Sequence, residues 1–512
     1  MKRLLLLSMI CLSLGSYSQT YADDVAQLIF DNCATCHNPD GIAPFSLMNY
    51  SEVTAQAAGI YDAIAQDVMP PWPPNDDYKE FSHSRALEDS EKTTILDWFG
   101  NGMPEGNPSN TPAPPVFNSG ALLGNGDLEV QIPTYMSKAT AVSDDYVCFS
   151  VPSDQLTNRS IKAMEVIPGN PEIVHHALIY IDEAGTYQTD STSGNCNGPT
   201  SATLVGGYTP GSSPLIFPNN TDLKLGMEMT ANSNIVFAMH YPGGSYGEFD
   251  STKVIFHFYD EQETGIREVS AAPILQNWSF VLPPDEITNV TASYAGSGAE
   301  YSLLSVFPHM HLLGKNIKSY GLTPANDTIR IIDVPRWDFH WQDFYIFKNL
   351  VKLPSNTSLH AEGNFDNTVN NIHNPSNPPE TVYPGLNTTD EMFLVYFHFL
   401  PYQTGDENYD LEEMTSLSLQ EMVSKEELSN ISIYPNPTTD VINIKIEGEQ
   451  AGNNVSASVY DLNGRLVNKL VSGKKFSGTT TLKWNGEEAK NGVYIVSIVL
   501  NGRHYSQRIV KQ

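Results

Sequence analysis

From about residue 121 to the end, the chain alternates short runs of Val, Ile, Leu, Phe and Tyr with breaks of Pro, Gly, Asn and Asp. Apolar and polar residues tend to trade places every second position, the spacing of a half-buried strand. Two runs matter later: Ser305 to Leu312, which reads as a strand with Pro308 at an edge or bend, and Met392 to Leu400. Helical spacing is sparse and falls in front, for example at Ser90 to Gly100. The last 80 or so residues return to short alternating strands, with Asn463-Gly464 and Asn501-Gly502 as hairpin turn pairs. The expected fold is multidomain and mainly β, with one small α-helical domain near the start.

Breaks in this pattern suggest boundaries. Residues 1–22 have a basic start, an apolar middle that includes Cys11 and a small-residue end, the form of a signal peptide. Cleavage after Ser18 or after Ala22 fits equally. A helical domain then spans 23–107, and a Pro/Ser/Asn-rich linker spans 108–120. Two β domains follow at 121–265 and 266–412, a charged linker at 413–428 and a final β domain at 429–512. A length of 512 residues accommodates such a division. The balance of 28 basic to 59 acidic residues, a formal charge of −31, argues against nucleic acid or an anionic membrane surface as a partner.

Export makes the cysteines legible. Cys33, Cys36 and His37 form C-x-x-C-H, the attachment sequence of a c-type haem, with His37 as the proximal iron ligand. Zinc would need a second ligand pair nearby, and a redox dithiol would not need the histidine. Met69, in the proline-rich DVMPPWPP, is the first candidate for the sixth iron ligand, with Met48 and Met103 as rivals. Cys148 and Cys196 remain as a pair in an oxidising compartment and are expected to form a disulfide; two free buried thiols are the alternative.

Five histidines and one methionine carry the remaining chemistry: His175 and His176 in VHHALIYID, His240 in FAMHYPGG, His309 and His311 in FPHMHLLGK, and Met392 in DEMFLVYF. Imidazole suits copper, zinc, iron or nickel, and a thioether favours Cu(I). The set divides into a three-His site and a two-His-one-Met site. On a strand His309 and His311 share a face. The adjacent His175 and His176 can meet one ion only at a strand end or bulge, or through different ring nitrogens.

In order and in local wording, this stretch resembles the copper type II, ascorbate-dependent monooxygenases, the family of peptidylglycine hydroxylating and dopamine β-monooxygenases. The resemblance runs from about Leu128 to Leu400. It implies two jelly-roll-like β-sandwich domains with one copper each. His175, His176 and His240 would hold the electron-transfer copper, and His309, His311 and Met392 the catalytic copper where O2 is used. Tyr396, four residues after the methionine, matches a substrate-binding tyrosine. Two positions depart from the peptide-amidating member: its carboxylate-binding arginine is Phe307 here, and its asparagine is Leu394. A glycine-extended peptide would lose its anion partner, so the substrate, small molecule or peptide, stays open.

The front domain resembles a small cytochrome c. The tail resembles the C-terminal sorting domain of the type IX secretion system, an Ig-like β-sandwich. Pro435-Asn436-Pro437, Tyr460-Asp461, Asn463-Gly464 and Gly492-Val493-Tyr494 carry that match; a generic Ig-like binding module is the alternative. Together the resemblances imply a secreted or cell-surface monooxygenase exported through the periplasm. It would use O2, two copper ions, a c-type haem fed by an external electron donor, and the type IX machinery. The competing expectation is a non-enzymatic copper and haem electron-transfer or copper-binding surface protein.

Overall fold

The protein is described from a computed structural model. It covers residues 19–511 apart from 40, 42, 116–120, 142, 192–195, 197–201, 340, 386, 416–430, 437, 440, 447–452, 462–465, 487–488, 491 and 501–502. The first 18 residues of the expected signal peptide 1–22, with Cys11, most of the expected second linker, part of the expected first one, Pro437 and both Asn-Gly pairs lie outside the described residues.

The chain separates into two compact units. One contains residues up to Asp76 and His83–Phe117; the other contains Asp77–Ser82 and everything from Asn118 onward. The first is helical, with α-helices Ala26–Asn32, Tyr50–Ala55, Ala57–Ala65 and Asp89–Gly100. The last matches the helix expected from Ser90 to Gly100. Glu88 and Glu91 cap its start reciprocally, the Glu91 carboxylate accepting the Glu88 N–H at 3.0 Å. Ile95 and Trp98, three positions apart and therefore on one face, are fully buried. They join Ile29, Val53 and Ile64 in one apolar core. Gly102, at φ +83°, takes the left-handed turn that ends the helix.

The second unit is sheet throughout its described strands, in keeping with the mainly β expectation. One sheet runs Leu128–Gln131, Lys253–Phe258, Arg159–Ile167, Leu225–Met229, Arg267–Glu268. Another runs Asp145–Pro152, Asn234–Tyr241, His176–Asp182, Thr203–Tyr208. Both feed one buried cluster, with Ile161, Met164 and Phe256 from the first and Phe149, Ile179 and Phe237 from the second. Each such side chain contributes roughly 1.5–3 kcal/mol of burial. A third sheet runs Ser270–Gln276, Leu394–Pro401, Tyr301–His309, Tyr345–Leu353, and a fourth Ile287–Tyr294, Ser358–Asp366, Gly314–Leu322, Thr328–Val334.

Leu304, Leu350 and Leu400 of the third sheet enter the same cluster as the first two sheets. Arg267 adds a polar tie, gripping Asp406 bidentately at 2.6 and 2.8 Å, while Ser302 donates to the same carboxylate at 2.5 Å. The stretch Asp77–Ser82 lies along the edge strand Tyr345–Leu353. Ser82 N–H donates to the Ile346 carbonyl at 2.8 Å, and Phe81 stacks on Phe347 with centroids 5.4 Å apart.

In the tail, the sheet Ile431–Tyr434, Val441–Ile446, Thr480–Asn485 and the sheet Leu466–Phe476, Asn453–Asp461, Gly492–Leu500, Arg503–Lys511 share a core of Ile442, Ile444, Val459, Trp484 and Val496. Among the described residues, no helix is long and apolar enough to cross a membrane.

Candidate metal centres

His176 opens the strand His176–Asp182, and His175 immediately precedes it. The neighbouring histidines thus meet at a strand end, one of the arrangements open to such a pair. His176 pairs in register with His240 on Asn234–Tyr241, and the His175 N–H donates to the His240 carbonyl at 3.0 Å. Ladder pairing therefore brings the three rings together. The Nδ1 of His176 lies 3.2 Å from Nδ1 of His240 and 3.4 Å from Nδ1 of His175. The three residues can offer ligand atoms within 4.8 Å of one another.

Asp144 sits 2.9 Å from Nε2 of His240 and accepts its proton, which leaves Nδ1 with its lone pair. Tyr146 stacks on the same ring at 4.3 Å and 8°. Burial tends to raise the Asp144 pKa, but its bond to His240 outweighs this and holds it below the usual aspartate value. Burial, and then the neighbouring imidazoles, push His176 well below an ordinary histidine, so its ring stays neutral and able to bind a metal. Neither Asp144 nor Tyr146 was singled out from sequence. The signal available was an acidic pair, Asp144-Asp145, at the mouth of an apolar strand.

The second cluster corrects one local expectation. The strand Tyr301–His309 ends at His309, and His311 lies beyond it, so the two histidines do not share a strand face. Their rings nevertheless come within 5.1 Å at a right angle because the chain turns at this point. Pro308 pairs with Val395 on one side only, past the last pair with the strand on the other side, Val306–Tyr345, so its missing N–H costs no ladder bond. After the turn, Gly314 permits close packing: a Cβ there would sit 2.8 Å from Trp337 and 3.0 Å from Met310. Trp337 in turn donates to the His311 carbonyl at 3.1 Å. The strand expected from Met392 runs Leu394–Pro401, with Leu394 paired to His309, so Met392 lies just before it.

The Nδ1 atoms of this cluster are already engaged, that of His309 with Gln342 Oε1 at 2.6 Å and that of His311 with the Asp390 carbonyl at 3.0 Å. Both Nε2 atoms remain for a ligand. Burial is the main cause that lowers His309 to about 3 and His311 to about 4.

Glu391, which sequence reading passed over, is fully buried. Its carboxylate accepts the N–H groups of His311 at 2.9 Å, Leu313 at 2.6 Å and Met392 at 3.3 Å. Burial pushes it up to about 8 against the pull of those donors. An acid preceding a long apolar run was the sequence signal.

The two clusters open on one cavity of about 140 Å³, lined by His176 on one side and His309, His311 and Met392 on the other. Phe339 stands between them, 6.4 Å from the His240 ring and 5.9 Å from the His311 ring. Tyr396 also lines the cavity, opposite Phe307 in the ladder and 6.1 Å from its ring. Cys148 and Cys196 form the expected disulfide, with Cα atoms 5.2 Å apart, and Cys196 reaches the same cavity.

In the helical unit, Cys33 and Cys36 are unbridged and half-buried. Burial drives the Cys33 thiol up to about 12, the opposite of an activated redox dithiol. His37 bonds through Nδ1 to the Phe45 carbonyl at 3.0 Å, which leaves Nε2 for a metal. Met48 and Met103 pack against the core, whereas Met69 is 43% exposed.

Residues 281–426 match the family described as copper type II ascorbate-dependent monooxygenase, C-terminal domain. Residues 432–512 match the secretion system C-terminal sorting domain. The chain thus carries a monooxygenase-family copper domain and an export tail that directs it to the cell surface or outside the cell. No curated protein matches the chain. Among solved structures, N-glycanase F is 11% identical over 54% of this chain and 97% of its own, with a TM-score of 0.24. A β-D-glucuronidase of Dictyoglomus thermophilum is 11% identical over 49% and 45%, with a TM-score of 0.12.

Proposed function

We propose that this protein is an exported copper-dependent monooxygenase that hydroxylates a C–H bond with O2 and draws its electrons through its own c-type haem. The observation that carries the reading is the shared cavity: His176 of the three-imidazole cluster lines it together with His309, His311 and Met392. An electron relay has no need of a second, substrate-accessible metal.

The donor sets fit copper. His175, His176 and His240 would hold one ion through Nδ1, and His309, His311 and Met392 would hold the other through two Nε2 atoms and a soft sulfur. Copper, when bound, supplies the one-electron and oxygen chemistry. The chain's own residues prepare for it. Asp144, Gln342 and the Asp390 carbonyl fix which nitrogen of each partner ring keeps its lone pair. Burial keeps the imidazoles neutral, so a metal meets no competing proton. Phe307, Phe339 and Leu394 give the reacting space an apolar wall.

The helical unit fits a c-type haem. Cys33 and Cys36 would carry it by thioether bonds, with His37 as the proximal ligand and Met69 as the sixth. Haem, when bound, supplies single electrons. In this scheme 23–107 is the haem domain, 121–265 and 266–412 are the copper domains, and 429–512 is the address read by the type IX machinery.

The test is oxygen uptake by mature, copper-loaded protein reduced through the haem. Uptake should require a C–H substrate, and one atom of isotopically labelled O2 should appear in the product. Electron exchange between haem and copper without substrate-dependent uptake would establish the relay reading instead.

A further inference from the structure

Resting on the monooxygenase reading, we infer that the substrate is an uncharged, largely apolar molecule whose one oxygen function is held between the hydroxyls of Tyr180 and Tyr396. The strand His176–Asp182 presents His176, Leu178 and Tyr180 at alternate positions, and all three line the shared cavity. The strand Leu394–Pro401 presents Leu394 and Tyr396 in the same way. The two tyrosines thus enter from different sheets, close enough to influence one another electrostatically.

Among the described residues, neither hydroxyl has a hydrogen-bond partner in the protein, whereas Tyr146 in the same cavity bonds to Thr388. A phenol that opens on a largely apolar cavity without a protein partner among the described residues is a donor and acceptor available to a ligand.

The rest of the lining excludes charge. Among the described residues, no Lys, Arg, Asp or Glu faces this cavity. The stretch 192–201 around Cys196 contains none in its sequence either. A carboxylate or ammonium ion moved here would lose its water and meet no charged side chain among the described residues, a cost that a neutral carbonyl or hydroxyl escapes. Asp343 lines only a smaller neighbouring cavity of about 30 Å³, and its carboxylate already accepts the Phe344 N–H at 2.8 Å. Peptides ending in a free carboxylate and amine-bearing ligands are therefore disfavoured. Neutral ketones, alcohols and esters with apolar bodies fit.

The experiment is calorimetric titration of full-length mature protein, copper-loaded and reduced under anaerobic conditions. Without O2 no turnover occurs, and Cu(I) is a poor partner for a carboxylate. The probes share one skeleton: 4-phenylbutan-2-one, 3-phenylpropanoate and 3-phenylpropylammonium. The ketone should bind at least about tenfold more tightly than either ion. Tyr180→Phe and Tyr396→Phe, which keep ring and packing, should each weaken it by about two- to tenfold.

Equal or tighter binding of the propanoate overturns the proposal. So does equal binding of the ammonium, which would point to Asp343, and so does a ketone that fails to bind in the millimolar range. A ketone unaffected by both tyrosine replacements overturns the assigned hydroxyls. Ketone binding without oxygen uptake would sink the monooxygenase reading alone, and oxygen uptake driven by an anionic substrate would sink this one alone.

Discussion

The carboxylate of Glu391 accepts the backbone N–H of His311 at 2.9 Å, and both residues are buried. Through its bonds to Leu313 and Met392, one side chain holds together the turn after the H-x-H pair and the segment carrying the methionine. The two segments that carry the proposed ligands, some 80 residues apart, thus share an anchor that is not itself one of those ligands.

Glu391→Ala should therefore destabilise the protein by about 2–5 kcal/mol, because it strands buried N–H groups and leaves a void. Copper analysis of the variant should show loss from the His309–His311–Met392 site and retention at the three-imidazole site. Glu391→Gln, which keeps one acceptor oxygen, should fall between the variant and the parent in thermal unfolding. Equal copper loss from both sites would mean that Glu391 supports the fold in general.

Met392→Ala should leave the three-imidazole copper and most of the fold intact. It should weaken Cu(I) binding at the other site and reduce turnover to background, because the soft ligand is the one removed. Competition with a Cu(I) chelator, set beside oxygen uptake, reads both effects. Full activity in the variant would place the oxygen chemistry elsewhere.

The Arg267–Asp406 pair makes acid stability predictable. Burial works to raise Asp406, but the bonds from Arg267 and Ser302 more than offset it, and the folded value lies below 3.8. A depressed carboxylate contributes stability that is fully present above 3.8 and is lost as pH falls through the lower folded value. Asp406→Asn should cost about 2–4 kcal/mol at neutral pH, since it takes the charged partner from a half-buried guanidinium. The gap between parent and variant should then shrink below about pH 4. Urea unfolding across that range, followed by tryptophan fluorescence, measures it. A gap independent of pH would show that Asp406 acts through packing alone.

The haem assignment has a direct readout. Replacing Cys33 and Cys36 with Ala should abolish haem staining on a denaturing gel while leaving copper in place. Met69→Ala should keep the haem attached but lower its reduction potential, because a thioether ligand raises it. An unchanged potential would transfer the role to Met48 or Met103.

The strands were legible because side chains alternate every second residue, and the candidate ligands because metals draw on few residue types. His175-His176, the H-x-H pair and the methionine stand out as words, and ladder register brings His176 opposite His240. Asp144, Gln342 and Glu391 were not legible. Each acts across a distance in sequence, and an acid or amide beside a strand more often faces water. The end of the strand at His309 was hidden for a related reason. Alternation continues through Pro308-His309-Met310-His311, and only the loss of ladder partners stops the strand.

The edge piece Asp77–Ser82 bears on how such a chain can be rearranged. One unit's sequence is interrupted to supply a border for the other, so no single cut separates them cleanly. A truncation starting after residue 117 would strip the cover from Phe347 and bare the backbone edge near Ile346. Exchange of the front unit for another domain would have to carry these six residues along. The graft point lies within the first unit's own sequence, well before the proline-rich stretch that looks like a hinge.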